Sequence, residues 1–285
     1  MRRRSGLLMF VVALVSWAAA TAGKDDNPQK LRKLLQSGDY RQAYESVAAH
    51  GTPDRRTALA ELARTLLIVA VSGDDTYLRW YALQASLPLE DRALAAAVRP
   101  RSKAVDRYEQ SLALEIIGHT DPAGSREELL AGLDSPYRAV RLRALEGLGK
   151  LKDPTLAERM AGVLTGDPDP DLRCLAARAI AETAAPAATT MLHKALDDPL
   201  PVVQEEAVRG LVALHDPELS PLLRRRLADN PQEQRVATIR LAGLVPDPEL
   251  LDDLGPYLGD GDAKVRAFAA AAILAILEHT SPGTQ

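Results

Sequence analysis

The chain has 285 residues, 46% of them hydrophobic and 4% aromatic, with a formal net charge of −4. Ala and Leu dominate, and no run alternates Val, Ile, Thr and Tyr as a strand would, so β-rich classes are excluded and an all-α fold is expected. The single cysteine, Cys174, excludes an intramolecular disulfide and reads as a small buried hydrophobe.

Residues 1–22 have the form of a secretory signal peptide. Arg2, Arg3 and Arg4 precede an apolar run, Leu7–Trp17, and Ala20-Thr21-Ala22 closes it as a cleavage site. The apolar stretch is shorter than the roughly 20 residues a spanning helix wants, so contact with a membrane is expected only through an uncleaved leader, if at all. No Cys follows the run, which excludes a lipoprotein. Export across the inner membrane to the periplasm is the expectation. Cleavage would remove three arginines and no acid, taking 35 basic residues to 32 against 39 acidic ones, a net charge of −7.

Residues 23–74 are expected to form an N-terminal helical cap. After the polar linker Lys24–Gln29, Leu31–Gln36 and Asp39–His50 read as a helical hairpin turned at Ser37-Gly38. Asp54–Ser72 reads as one long helix with apolar Leu59, Leu62, Leu66, Leu67, Val69 and Ala70. Residues 75–280 are then periodic. In Val140–Leu164, Ala144 and Leu148 mark a first helix; Asp153-Pro154 opens a second, with Asp suited to the N-cap and Pro to the first turn. The Ala-x-x-x-Leu/Ile mark recurs at Ala82, Ala113, Ala144, Ala176, Ala207, Ala237 and Ala269, spaced 31, 31, 32, 31, 30 and 32 residues apart. Three residues before each stands Arg79, Gln110, Arg141, Arg173, Gln204, Gln234 or Arg266. A second punctuation closes each unit, as at Asp167-Pro168, Asp198-Pro199, Asn230-Pro231 and Asp260-Gly261. A near-constant period of about 30 residues is the mark of a solenoid of about six and a half hairpins. Ala263–His279 is an apolar first helix without a second; it either caps the stack or leaves an apolar edge for a partner. Residues 281–285 read as a disordered tail.

The pattern V-R-x-x-A-x-x-x-L-G followed by D-P resembles the HEAT repeat, in the form called the PBS-lyase HEAT-like repeat. Val140-Arg141…Ala144…Leu148-Gly149…Asp153-Pro154 carries it nearly whole, and Val265-Arg266…Ala269 carries its first half. The resemblance implies a right-handed α-α superhelix whose second helices line the concave face. It says little about function, because such repeats serve as scaffolds, lyases and nucleic-acid binders.

No HExxH, CxxC, GxSxG or phosphate loop is present, so no catalytic, cofactor or metal residue is nominated. His119 and His215 stand just before Asp-Pro turns, where they would bond the last carbonyls of the first helices. Counting back from Leu133, Leu164, Leu196, Leu227 and Leu258, the solvent stripe of the second helices falls at Glu127, Glu158 and Arg159, Thr190 and Lys194, Arg224 and Arg225, and Asp252 and Asp253. The stripe is mixed in sign, with Asp252-Asp253 placed to offset Arg224-Arg225-Arg226. The expected function is a non-catalytic scaffold binding a protein or peptide along that face. The rival is an enzyme or an accessory subunit of one, lyase-like, which a pocket gathering His193, Lys194 and Arg225 would favour. Nucleic acid is not an expected partner, since it wants a basic surface.

Overall fold

The computed structural model describes residues 28–48, 52–229 and 234–280. The expected signal peptide, the tail and the Asn230-Pro231 corner lie outside them. The described residues hold α-helices and short 3-10 turns and no strand. None of these helices is long and apolar enough to cross a membrane. The chain divides into two compact units, residues 1–121 and 122–285.

The first unit opens with α1 (Pro28–Ser37) and α2 (Tyr40–Ala48), joined through Gly38 at φ 85°. A left-handed residue is what lets the chain reverse there: the Asp39 amide donates back to the Leu34 carbonyl at 2.8 Å, closing α1. Leu31, Leu35, Ala43 and Val47 form one buried cluster, on which Leu59, Leu62 and Val69 of α3 (Thr52–Ser72) pack. Then come α4 (Thr76–Ser86), α5 (Arg92–Val98), a 3-10 turn (Arg99–Lys103) and α6 (Arg107–Thr120). Asp75, Asp91 and Asp106 each accept backbone amides as N-caps of α4, α5 and α6. Arg64 reaches from α3 to Asp91 at 2.6 Å, and Arg101 closes the end of α3 on the Val71 carbonyl at 3.0 Å.

The second unit alternates first and second helices: α7 (Arg126–Gly132), α8 (Arg138–Gly149), α9 (Ala157–Gly166), α10 (Pro170–Thr183), α11 (Ala188–Ala195), α12 (Pro201–Ala213), α13 (Leu219–Ala228), α14 (Arg235–Ala242), α15 (Leu250–Leu254) and α16 (Ala263–Thr280). Asp153 caps as its Asp-Pro pair predicts, accepting the Thr155 amide at 2.9 Å at the head of a 3-10 turn that runs into α9. Ala113, Ala144, Ala176, Ala207 and Ala269 of the repeat mark are fully buried, as are Ile117, Leu148, Ile180 and Leu211. Ser86, in the degenerate copy, is buried too; its hydroxyl donates to the Ala82 carbonyl at 2.6 Å, so the polar atom is satisfied.

One copy is out of the expected register. Ala237 is only half-buried, whereas Thr238, Ile239 and Ala242 are buried. The mark in α14 is therefore Thr238, whose hydroxyl donates to the Gln234 carbonyl, and the recurring cation is Arg235 rather than Gln234. With this shift the spacings become 31 residues throughout except for one of 32.

The recurring arginine has a definite role. Arg141 donates Nη1 to the carbonyls of Ser135 and Pro136, at 3.1 and 3.2 Å, in the turn before its own helix. It gives Nε and Nη2 to the carboxylate of Asp167, at 2.7 and 3.1 Å, in the turn after its hairpin. Arg173 repeats this one unit on, from the Asp167 carbonyl (2.9 Å) to the Asp198 carboxylate (2.7 and 3.0 Å). Gln204 donates to the Asp198 carbonyl at 2.6 Å. Arg235 holds Asp260 at 2.8 Å, and Arg266 donates to the Asp260 carbonyl at 2.7 Å. In the first unit Arg79 spans from the Gly73 carbonyl to Glu109, both at 3.0 Å. Each of these aspartates also accepts the amide two residues on, at Asp169, Leu200 and Asp262.

Successive first helices meet through small residues. A Cβ on Gly243 would lie 2.8 Å from both Cα and Cβ of Ala272, and one on Gly210 would lie 3.1 Å from the Ala181 Cβ and 2.9 Å from a Leu192 methyl. Gly149 is looser, with the Ala179 Cβ at 3.4 Å. Gly243 has φ −65°, a value any residue adopts, so only space demands glycine there.

Two outcomes follow for stability in urea. Gly243→Ala should lose about 1–3 kcal/mol by overpacking against Ala272, whereas Gly149→Ala should change stability by no more than about 0.5 kcal/mol. Arg173→Ala should lose about 3–5 kcal/mol, since it strands a nearly buried Asp198; Arg173→Lys should recover only part, because an ammonium cannot make the forked contact.

Candidate functional site

The second helices of the second unit bury pairs four residues apart: Leu129 and Leu133, Met160 and Leu164, Leu192 and Leu196, Leu223 and Leu227, Leu250 and Leu254. The last pair corrects the expected anchor. Leu258 is 47% exposed, because α15 gives way to a 3-10 turn at Gly255-Pro256 and the core leucine is Leu254. Tyr257 in that turn donates to the Leu227 carbonyl at 2.6 Å and ties the end back to α13.

Relative to these anchors the predicted stripe resolves into two exposed rows one helical turn apart. Six residues before the anchor stand Glu127, Glu158, Thr190, Pro221 and Pro248. Two residues before it stand Ala131, Gly162, Lys194, Arg225 and Asp252. Positions i and i+4 share a helix face, so both rows look the same way. Charge changes along them, from acidic at Glu127 and Glu158 to basic at Lys194 and Arg225, and back to acidic at Asp252.

The other three predicted residues lie beside the rows and are engaged within the protein. Arg159 pairs with Asp134 of the preceding turn. Arg224 donates to Asp253 at 2.7 Å and Glu249 at 3.1 Å, so the expected offset between these segments exists, through Asp253 rather than Asp252. Arg226 reaches back to Asp197 at 2.8 Å. Among the described residues Glu127, Glu158, Lys194, Arg225 and Asp252 have no ion-pair partner. Helical phase in the sequence nominates these eight positions together and does not separate the paired from the unpaired. The separation follows from distance to the neighbouring turn, which needs the hairpin's depth.

Arg225 lines an open cleft with Asp197, Leu222, Arg226, Asp229 and Gln234. His193 and Lys194 do not line it. His193 turns instead to Asp216, Nε2 to carboxylate 2.8 Å, joining the second helix of one repeat to the turn of the next. Among the described residues no three His, Cys, Asp or Glu side chains come together as a metal cage. The other described imidazoles have different settings. His119 faces Glu90 at 3.2 Å, and His215 is exposed at φ 53°. His279 bonds a carbonyl near its helix end, that of Ala275, at 2.7 Å. Cys174 is half-buried rather than buried; burial pushes its thiol pKa up, and the nearby carboxylates of Glu206 and Asp171 push it further, away from a reactive thiolate.

Residues 160–238 match the family described as HEAT repeats. No curated protein matches the chain. Among solved structures, YibA from Escherichia coli is similar over 90% of this chain and 97% of its own, with 18% identity and a TM-score of 0.50. The complex of CpcE and CpcF of phycocyanin lyase from Nostoc sp. PCC7120 covers 76% of this chain and 88% of that one at 21% identity, TM-score 0.47. A designed armadillo repeat protein covers 74% and 98% at 14% identity, TM-score 0.44. The periodic buried alanines and the turn-to-turn arginines agree with the family match: residues 160–238 are HEAT repeats, and the described residues have an all-α, HEAT-like helical-repeat fold.

Proposed function

We propose that this chain is an exported, non-catalytic scaffold that holds an extended protein or peptide partner along the second-helix face of its second unit. One observation carries the reading. The fold uses Arg159, Arg224 and Asp253 to stitch neighbouring turns, yet Glu127, Glu158, Lys194, Arg225 and Asp252 are exposed along two aligned rows with no ion-pair partner among the described residues. A stacked-hairpin surface of this kind offers a long track rather than an enclosed cavity, which suits extended ligands. The alternating sign sets a direction for the partner: basic groups against Glu127 and Glu158, acidic groups against Lys194 and Arg225. Export rests on the composition of residues 1–22, and the partner is accordingly sought in the periplasm.

The test is affinity capture from periplasmic extract on immobilised protein starting at Gly23. Capture of one stoichiometric protein should weaken as salt rises. It should fall about tenfold or more in Lys194→Glu/Arg225→Glu, and stay within about twofold in Arg224→Ala, whose partners are internal. Capture indifferent to the double charge reversal would sink the proposal. Co-purification of a small molecule or metal with turnover of a substrate would replace it by the enzyme reading. Amino-terminal sequencing of the exported protein should begin at Gly23; recovery of an intact Met1 form would overturn cleavage.

A further inference from the structure

Six of the seven tyrosines lie between residues 40 and 137, and all six are more than two-fifths exposed. Two of them belong to a repeated corner of the first unit. Asp75-Thr76-Tyr77 opens α4 and Asp106-Arg107-Tyr108 opens α6, 31 residues apart, so the two corners are equivalent positions on neighbouring first helices. Tyr77 is 78% exposed and Tyr108 58%. In each corner the capping carboxylate uses Oδ1 on the backbone: Asp75 accepts Leu78 N at 3.0 Å, and Asp106 accepts Tyr108 N at 2.8 Å and Glu109 N at 3.0 Å. Neither aspartate has an ion pair among the described residues. Tyr81, one turn beyond Tyr77, adds a third exposed ring at 60%.

The second unit shows what such a corner takes. At the equivalent place, Asp169-Pro170-Asp171 opens α10, and Asp169 again caps with Oδ1. Its Oδ2, together with the carboxylate two residues on, holds the guanidinium of Arg138 from the preceding first helix. The residue one repeat before Arg138 is Arg107, and one repeat before that is Thr76. The side chain that would have to reach Asp106 is therefore a threonine, too short to do so, and its hydroxyl already accepts from Arg79 at 3.0 Å. Where the second corner offers Asp171, the first-unit corners offer a tyrosine ring, which also accepts a guanidinium. The Tyr108 ring carries that of Arg107 at 5.0 Å from its centroid, on one face.

We propose that this first-helix face of the first unit docks a basic, extended protein segment carrying two arginines three residues apart. Each guanidinium lies on a tyrosine ring, Tyr77 or Tyr108, and donates to the free oxygen of the capping aspartate, Asp75 or Asp106. Packed helices sit about 8–10 Å apart, and three residues of extended chain cover about 10 Å, which fixes the arginine spacing. Asp74 and Asp75 precede Tyr77 and Asp106 precedes Tyr108, while the guanidinium groups nearby are engaged inside the unit: Arg79 on Glu109, Arg101 on the Val71 and Ser72 carbonyls, and Arg107 on Tyr108. Exposed tyrosines with a polar rim are also the residues that contribute most at protein interfaces. This face belongs to the first unit and the second-helix rows to the second, and the inference does not rest on those rows.

The experiment uses protein from Gly23 onward labelled with 3-fluorotyrosine, each signal assigned by a single Tyr→Phe variant. The probe is the acetylated, amidated hexapeptide Gly-Arg-Gly-Gly-Arg-Gly. Its addition at low salt should shift the Tyr77 and Tyr108 fluorine signals saturably and leave those of Tyr137 and Tyr257 in place. The same peptide with both arginines replaced by glutamate should shift neither. The isomer with adjacent arginines should bind about threefold more weakly, since one linker cannot then span both corners. Asp75→Asn/Asp106→Asn keeps the caps, because Asn caps as well as Asp, and should weaken binding about tenfold with unchanged helicity. Lys194→Glu/Arg225→Glu should leave this binding unaffected. Equal shifts at all tyrosines, an equal response to the acidic peptide, or full binding by the Asn variant would each overturn the proposal.

Discussion

Everything in the second unit depends on an arginine that is shared between two turns. A hairpin of two helices has one buried stripe and three open sides, and apolar burial alone would let neighbouring hairpins slide or rotate. Arg141 and Arg173 remove that freedom. Each grips the carbonyl of the turn behind it and the carboxylate of the turn ahead, and that second turn's own carbonyl is gripped by the next side chain. The arginines and aspartates are nearly buried, so removing one partner would leave an uncompensated charge. The small-residue seam sets how close the first helices come, and the arginine straps set their register.

The period of the chain was legible because it is written in residues that only one environment tolerates. Ala at the same depth in each first helix keeps the hairpin tight, and the Asp-x or Asp-Pro turns delimit it. The recurring arginine was visible as a pattern but mute as to role, since its carbonyl and carboxylate partners are 5–6 and 25–26 residues away on opposite sides. The copy at α14 was misread for a related reason. Ala237 satisfies the Ala-x-x-x-Leu template, but Thr238 fits the same cavity once its hydroxyl bonds back along the helix, so the buried position holds a polar residue that a template excludes. Leu258 failed as an anchor because Gly255-Pro256 ends the helix early, and the count along a continuous helix ran past the break.

The second-helix face illustrates a different limit. Exposure of a charged side chain can be read from helical phase where the helix is continuous, but Asp252 and Asp253 were counted from Leu258, beyond the end of α15, and Asp253 is only half-exposed. Whether the charge is spent inside the molecule depends on which turn lies within reach. Arg224 and Arg225 are neighbours in sequence and both exposed, yet one bonds two carboxylates and the other has none among the described residues. The sign sequence along the rows, not their net charge, is what a partner would meet. A mixed track of this kind selects orientation as well as composition, since reversing a complementary strand would set like charges against each other.

The strap changes form at Gln204. Gln204 stands where Arg141 and Arg173 stand, and it grips the turn behind through the Asp198 carbonyl, but an amide has no second arm to send forward. The charged link at this step is made elsewhere, by Arg240 of α14 on Glu205 of α12, and the arginine-to-aspartate strap resumes with Arg235 and Asp260. In a linear stack, cooperativity passes only between nearest neighbours, so a weaker coupling at one step divides the array into segments that can open separately. Coupling from α12 to α14 accordingly rests on a more exposed ion pair than the arginine straps before it, which makes this the step at which the stack would divide first.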